Sequence, residues 1–133
     1  MRLELERSLS ELRRIVESTA EFFASHGIDA SLRNVVDLAT EELFVNMVLY
    51  NRETTADILL EMREMDGGVE VSLTDFDVER FDPTLLRPVD VNSPVEERTE
   101  GGLGLYLVLK MVDAINYQYR DRQSKITFQV GQG

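Results

Sequence analysis

Two runs of alternating residues flank an Asp-Gly-Gly turn in the middle of the chain, and they constrain its fold more than any other feature. Ile58, Leu60 and Met62 alternate with Leu59, Glu61 and Arg63. Beyond Asp66-Gly67-Gly68, Val69, Val71 and Leu73 alternate with Glu70 and Ser72. A period of two on both sides of a glycine turn predicts an antiparallel β-hairpin with an apolar face. A second layer must cover that face.

The flanking segments supply the cover. Leu3 and Leu5 alternate with Glu4 and Glu6, the pattern of a short strand. Ser8-Leu9-Ser10-Glu11 fits a capping box, in which hydroxyl and carboxylate satisfy free N–H groups reciprocally. Leu12, Ile15, Val16, Thr19, Phe22 and Phe23 then follow at helical spacing, and Gly27 closes the run. A second helix is expected from near Asp29 or Ser31 to about Tyr50, and a third, strongly apolar one from about Leu103 to Val112. Strands near Ala114–Arg120 and Lys125–Val130 complete the order. Three amphipathic helices on one face of a five-stranded, largely antiparallel sheet is the economical arrangement, an α/β two-layer sandwich. With 133 residues and no internal repeat, residues 1–133 read as a single domain. Between Asp75 and Glu100 periodicity is lost; the stretch holds Pro83, Pro88 and Pro94 and many charges. Loops of that length in small domains are usually functional.

Composition removes several function classes. Lys and Arg total 14 against 25 Asp and Glu, a net charge of -11, which argues against nucleic acid as the main partner. Without cysteine there is no disulfide, thiolate catalysis or Cys-ligated zinc, and the single His26 cannot build a multi-histidine metal site. His26 lies beside Gly27, where an imidazole can satisfy terminal carbonyls of the helix. No apolar run approaches a membrane span, and Met1–Arg7 is not a signal peptide, so the chain reads as soluble and cytoplasmic.

Three features stand out as candidate chemistry. Val35, Leu38, Ala39, Glu42, Asn46, Leu49 and Tyr50 project along one stripe of the second helix, which puts Glu42 and Asn46 one turn apart on or beside the face expected to be buried. Burying an unpartnered carboxylate and amide costs several kcal/mol by order of magnitude. They are either boundary residues reaching solvent or members of a site. Gly101-Gly102-Leu103-Gly104 opens the third helix, as a hinge or as an anion-binding turn that offers free N–H groups. It lacks the Lys-Ser/Thr pair of the Walker motif. Asp75 leaves the hairpin's second strand, either to start a turn or to accept a hydrogen bond from a base's amino group.

The order and spacing of these features resemble the GHKL (Bergerat-fold) ATPases with their histidine-kinase-like ATPase domain, and more closely the anti-sigma-factor serine/threonine kinases. Thr40-Glu41-Glu42-Leu43-Phe44-Val45-Asn46 is similar to that family's N-box, and Gly101-Gly102-Leu103-Gly104-Leu105 to its second glycine box. Phe81-Asp82-Pro83 and Val112–Tyr117 resemble it too. The resemblance implies a mixed, largely antiparallel sheet with a long ATP lid across the proline-containing segment. It implies that Glu42 is the general base, that Asn46 coordinates Mg²⁺ on the ATP phosphates, and that Asp75 reads the adenine. Gly101, Gly102, Leu103, Gly104 and Leu105 would bind ATP at the phosphates. Implied partners are a sigma factor and its anti-sigma-factor antagonist, with phosphorylation of the antagonist, and a homodimer is expected. The sequence departs from the family at Asp77, where glycine is usual, and at Asn51, where relatives carry a small residue or glycine. Asp77 motivates the alternative, a partner-switching binding module of the same fold with weak or no catalysis.

Overall fold

In the computed structural model the central hairpin forms as its alternation predicts. β2 (Ile58–Met65) pairs antiparallel with β3 (Gly68–Phe76), and Met65 faces Gly68 across an Asp66-Gly67 turn. Gly67 has φ 80°, a conformation that side chains resist. Gly68 is needed for another reason: a Cβ there would overlap the carbonyl oxygen of Val130 on the next strand. The structure describes residues 1–51, 54–78 and 102–131, with the backbone alone for 102–106.

Around the hairpin, β1 (Arg2–Leu5), β4 (Ala114–Arg120) and β5 (Gln123–Val130) extend the sheet in the order β1-β2-β3-β5-β4. Every described pairing is antiparallel. The shared register puts Leu60 opposite Leu73, Met62 opposite Val71 and Val71 opposite Phe128 on one side of the sheet. On that side lie α1 (Leu12–His26), α2 (Arg33–Tyr50) and α3 (Gly102–Met111). Ile15, Phe22 and Phe23 of α1, Val36, Leu43, Phe44 and Met47 of α2 and Val108 of α3 join these strand residues in one core. The two-layer sandwich with three α-helices on one face is therefore as expected. No described helix is long and apolar enough to cross a membrane.

Local chemistry departs from the sequence reading in two places. Ser8 does cap a turn, accepting from the Ser10 N–H, but the turn is a 3-10 segment over Leu9–Glu11. The Glu11 carboxylate reaches back to the Glu6 N–H and not to Ser8. The buried stripe of α2 is Val36, Ala39, Thr40, Leu43, Phe44 and Met47, rotated from the projected one, of which only Ala39 is fully buried. The cause is the breadth of apolar residues around α2. Periodicity alone admits more than one buried stripe, and packing against the sheet and the other helices selects among them. His26 meets a carbonyl of the last helical turn, as its position suggested: Nδ1 lies 3.1 Å from the Phe22 carbonyl oxygen, to which it can only donate.

Gly68→Ala should destabilise the protein by about 1–3 kcal/mol through overpacking, read as a lower urea midpoint with an unchanged slope.

Candidate active site

The rotation of α2 decides the setting of the first two candidate residues. Glu42 and Asn46 lie one turn apart on the flank of the buried stripe, both half-buried. Neither makes a hydrogen bond or ion pair with any described residue. Burial pushes the Glu42 carboxyl above the usual glutamate range, and the neighbouring Glu41 charge adds to the shift.

Asp75 is the opposite case. It lies near the end of β3 with 0% exposure, and its carboxylate faces the side chains of Arg7 and Asn51. Oδ1 forms an ion pair with the Arg7 guanidinium. Oδ2 accepts from the Asn51 side-chain amide at 2.5 Å. Arg7 is anchored in turn by carbonyl groups: its Nε donates to Ala56 at 2.9 Å, and Nη1 reaches Met47 and Asn51 at 3.3 Å. The last two carbonyls belong to the C-terminal end of α2, whose free acceptors and negative dipole end favour a cation. One guanidinium thus joins the segment after β1, the end of α2, the approach to β2 and the end of β3.

Asp77, two residues on, adopts φ 57°, in the left-handed region that glycine enters freely and aspartate enters more readily than most residues. Its side chain is turned to Arg122 in the β4–β5 turn, with Arg122 Nε donating to Oδ1 at 2.9 Å and Nη2 to the Asp77 carbonyl at 3.3 Å. Val78 N–H donates to the Arg122 carbonyl, and the Tyr119 hydroxyl to the Val78 carbonyl. The bulk and charge of Asp77 are therefore directed at the β4–β5 turn and neutralised there, while the backbone keeps the shape a glycine would give.

The third candidate feature is placed in part. Gly102, Leu103, Gly104 and Leu105 form the first turn of α3, which packs against α2. Gly101, the lid segment with Pro83, Pro88 and Pro94, and Phe81-Asp82-Pro83 lie outside the described residues. Among the described residues no group of three or more His, Asp or Glu side chains could hold a metal ion.

The profile of the histidine kinase-like ATPase domain matches residues 4–130. The chain belongs to that family. Within it, the chain is 27% identical over 84 residues to the serine-protein kinase RsbW of Halalkalibacterium halodurans, a match spanning 60% of this chain and 51% of that protein. The chain thus spans about half the length of that curated relative. The fold is similar to part of the solved structure of the RsbU and RsbW domains of Rv1364c from Mycobacterium tuberculosis, at a TM-score of 0.68 and 17% identity. That match covers 98% of this chain and 32% of the solved one.

Two residues at this histidine kinase-like site were not found as candidates from the sequence. Arg7 follows an alternating strand in a charged run, and no local pattern marks it for burial 68 positions from its partner. Asn51 was visible as a departure from the family pattern, but its pairing with Asp75 was not.

Arg7→Met should cost about 3–5 kcal/mol, because the Asp75 charge stays buried without its cation. In a double-mutant cycle with Asp75→Asn, urea denaturation should show strong coupling between the two sites. Glu42 links stability to pH. Its raised folded-state pKa means that its charge costs stability above that pKa, and the cost disappears as pH falls and the carboxyl protonates. Glu42→Gln should therefore raise Tm at neutral pH, with the gain shrinking toward pH 4 in thermal melts.

Proposed function

We propose that the protein is an ATP-dependent serine/threonine protein kinase of the anti-sigma regulatory type, and one observation carries the reading. Glu42 and Asn46, one turn apart on α2, are half-buried polar groups that no described residue engages. Partly exposed and engaged by no described residue, the two side chains are open to a ligand. In this reading Glu42 takes the proton from a serine or threonine hydroxyl as that oxygen attacks the γ-phosphorus. The bond to the bridging oxygen breaks, and ADP leaves. Burial suits Glu42 to this role, since a raised pKa makes the carboxylate a stronger base.

Asn46 fits an Mg²⁺ site: an amide oxygen is a hard ligand, and magnesium commonly takes few protein ligands beside phosphates and water. When bound, the ion would neutralise phosphate charge. Asn46 would fix its position relative to Glu42, and the Gly101–Leu105 segment would receive the phosphates at the start of α3. The proposed substrate is a hydroxyl on an anti-sigma-factor antagonist, with a sigma factor as the second partner, in keeping with the RsbW relative named a serine-protein kinase.

A second reading is favoured by a different observation. Asp75 has no exposed surface and sits against Arg7 and Asn51. A partner-switching module that binds without transferring phosphate needs no carboxylate open to a base. Glu42→Ala separates the two. Incubated with ATP, Mg²⁺ and the antagonist, the variant should lose phosphorylation by at least about a hundred-fold while still binding nucleotide in calorimetry. Transfer at the wild-type rate would remove Glu42 from the mechanism, and no transfer by the wild-type protein would favour the module.

A further inference from the structure

Among the described residues, the non-glycine residues with left-handed backbone are Asp77, Asp121 and Arg122, at φ 57°, 51° and 62°. All three meet at one contact. Arg120 pairs with Gln123, so Asp121 and Arg122 form a two-residue hairpin loop of the kind that favours glycine at its second position. Arginine there adopts a conformation that its side chain resists. In that conformation Arg122 holds the peptide between Asp77 and Val78 from both sides. Its Nη2 donates to the Asp77 carbonyl at 3.3 Å, and its own carbonyl accepts from the Val78 N–H at 3.0 Å. Its Nε donates to the Asp77 carboxylate at 2.9 Å, and the Tyr119 hydroxyl donates to the Val78 carbonyl at 2.8 Å. Phe76 and Gln123 are the last residues paired between β3 and β5, so Arg122 continues that pairing beyond the end of the strand. An ion pair as exposed as this one, 69% at Asp77 and 52% at Arg122, contributes little to stability. What it fixes is geometry.

We propose that Arg122 is a positioning residue for the nucleotide site: it holds Asp77 in the left-handed conformation and so fixes the direction in which the chain leaves β3. The inference rests on the nucleotide-binding reading above. The end of β3 belongs to the candidate site through Asp75, which meets Asn51 at the C-terminal end of α2. In the sequence, residues 79–100 join the clamped peptide to the Gly101–Leu105 segment proposed to receive the phosphates. Without the clamp, an aspartate at position 77 is biased back to negative φ, as residues with a Cβ are, whereas a glycine takes either sign freely. Arg122 is needed because residue 77 is not glycine.

The test is calorimetric titration of the full chain with ATP and Mg²⁺. Arg122→Gly removes the guanidinium and leaves the turn a residue suited to φ 62°. It should weaken ATP binding about five-fold, the scale of the bias against a left-handed residue with a side chain. Asp77→Gly added to Arg122→Gly should restore affinity to within about two-fold of wild type, because a glycine at position 77 needs no clamp. The urea midpoint of Arg122→Gly should stay near that of wild type, which separates positioning from a general loosening of the fold. Wild-type affinity in Arg122→Gly, a double variant that binds no better than Arg122→Gly, or a marked fall in the urea midpoint of Arg122→Gly would each overturn the proposal while leaving the nucleotide site intact. If the wild type itself binds no ATP, the nucleotide reading fails, and this inference with it.

Discussion

The Arg7 guanidinium is the contact on which the arrangement of this end of the molecule depends. It neutralises a carboxylate that has lost all access to water, and it satisfies carbonyls from the last turn of α2 and from the approach to β2. A buried ion pair of this kind does not by itself stabilise a fold more than apolar packing would. Its contribution is to geometry. With Asp75, Asn51 and Arg7 interlocked, the C-terminal end of α2 and the end of β3 have a fixed relative position, and Glu42 and Asn46 are carried on that helix.

The two ends of the candidate site consequently differ in chemical state. At Glu42 and Asn46 no described residue engages the polar groups, and the carboxyl is partly desolvated. At Asp75 the carboxylate meets Arg7 and Asn51. Asp77 belongs with the closed end: the left-handed backbone is retained, and Arg122 draws the extra charge to the β4–β5 turn. What looked in the sequence like an added negative charge at the site is a surface ion pair beside it, 69% exposed at the aspartate.

The fold was legible because its signals are local. The alternation of Ile58–Met65 and Val69–Leu73, the glycine turn and Gly27 each specify their element within a few residues, and the sheet follows from covering one apolar face. The stripe of α2 was not legible, because apolar residues spread over more than one side of that helix. Glu42 and Asn46 could be found since polar groups interrupt an apolar pattern at helical spacing. Arg7 could not, because a cation after Glu6 looks the same whether it ends in water or against a carboxylate from a distant strand. Long-range charge pairing leaves no period in the sequence.

The position of Arg7 along the chain also ties the site to the rim of the sheet. β1 pairs only with β2 and has just four residues, so it is the strand most readily released by local opening. Arg7 lies two residues beyond it. When that edge frays, Asp75 loses its counter-charge and α2 loses the donor at its last carbonyls in the same event. Residues 2–7 therefore govern the electrostatics around Asp75, far from them along the chain.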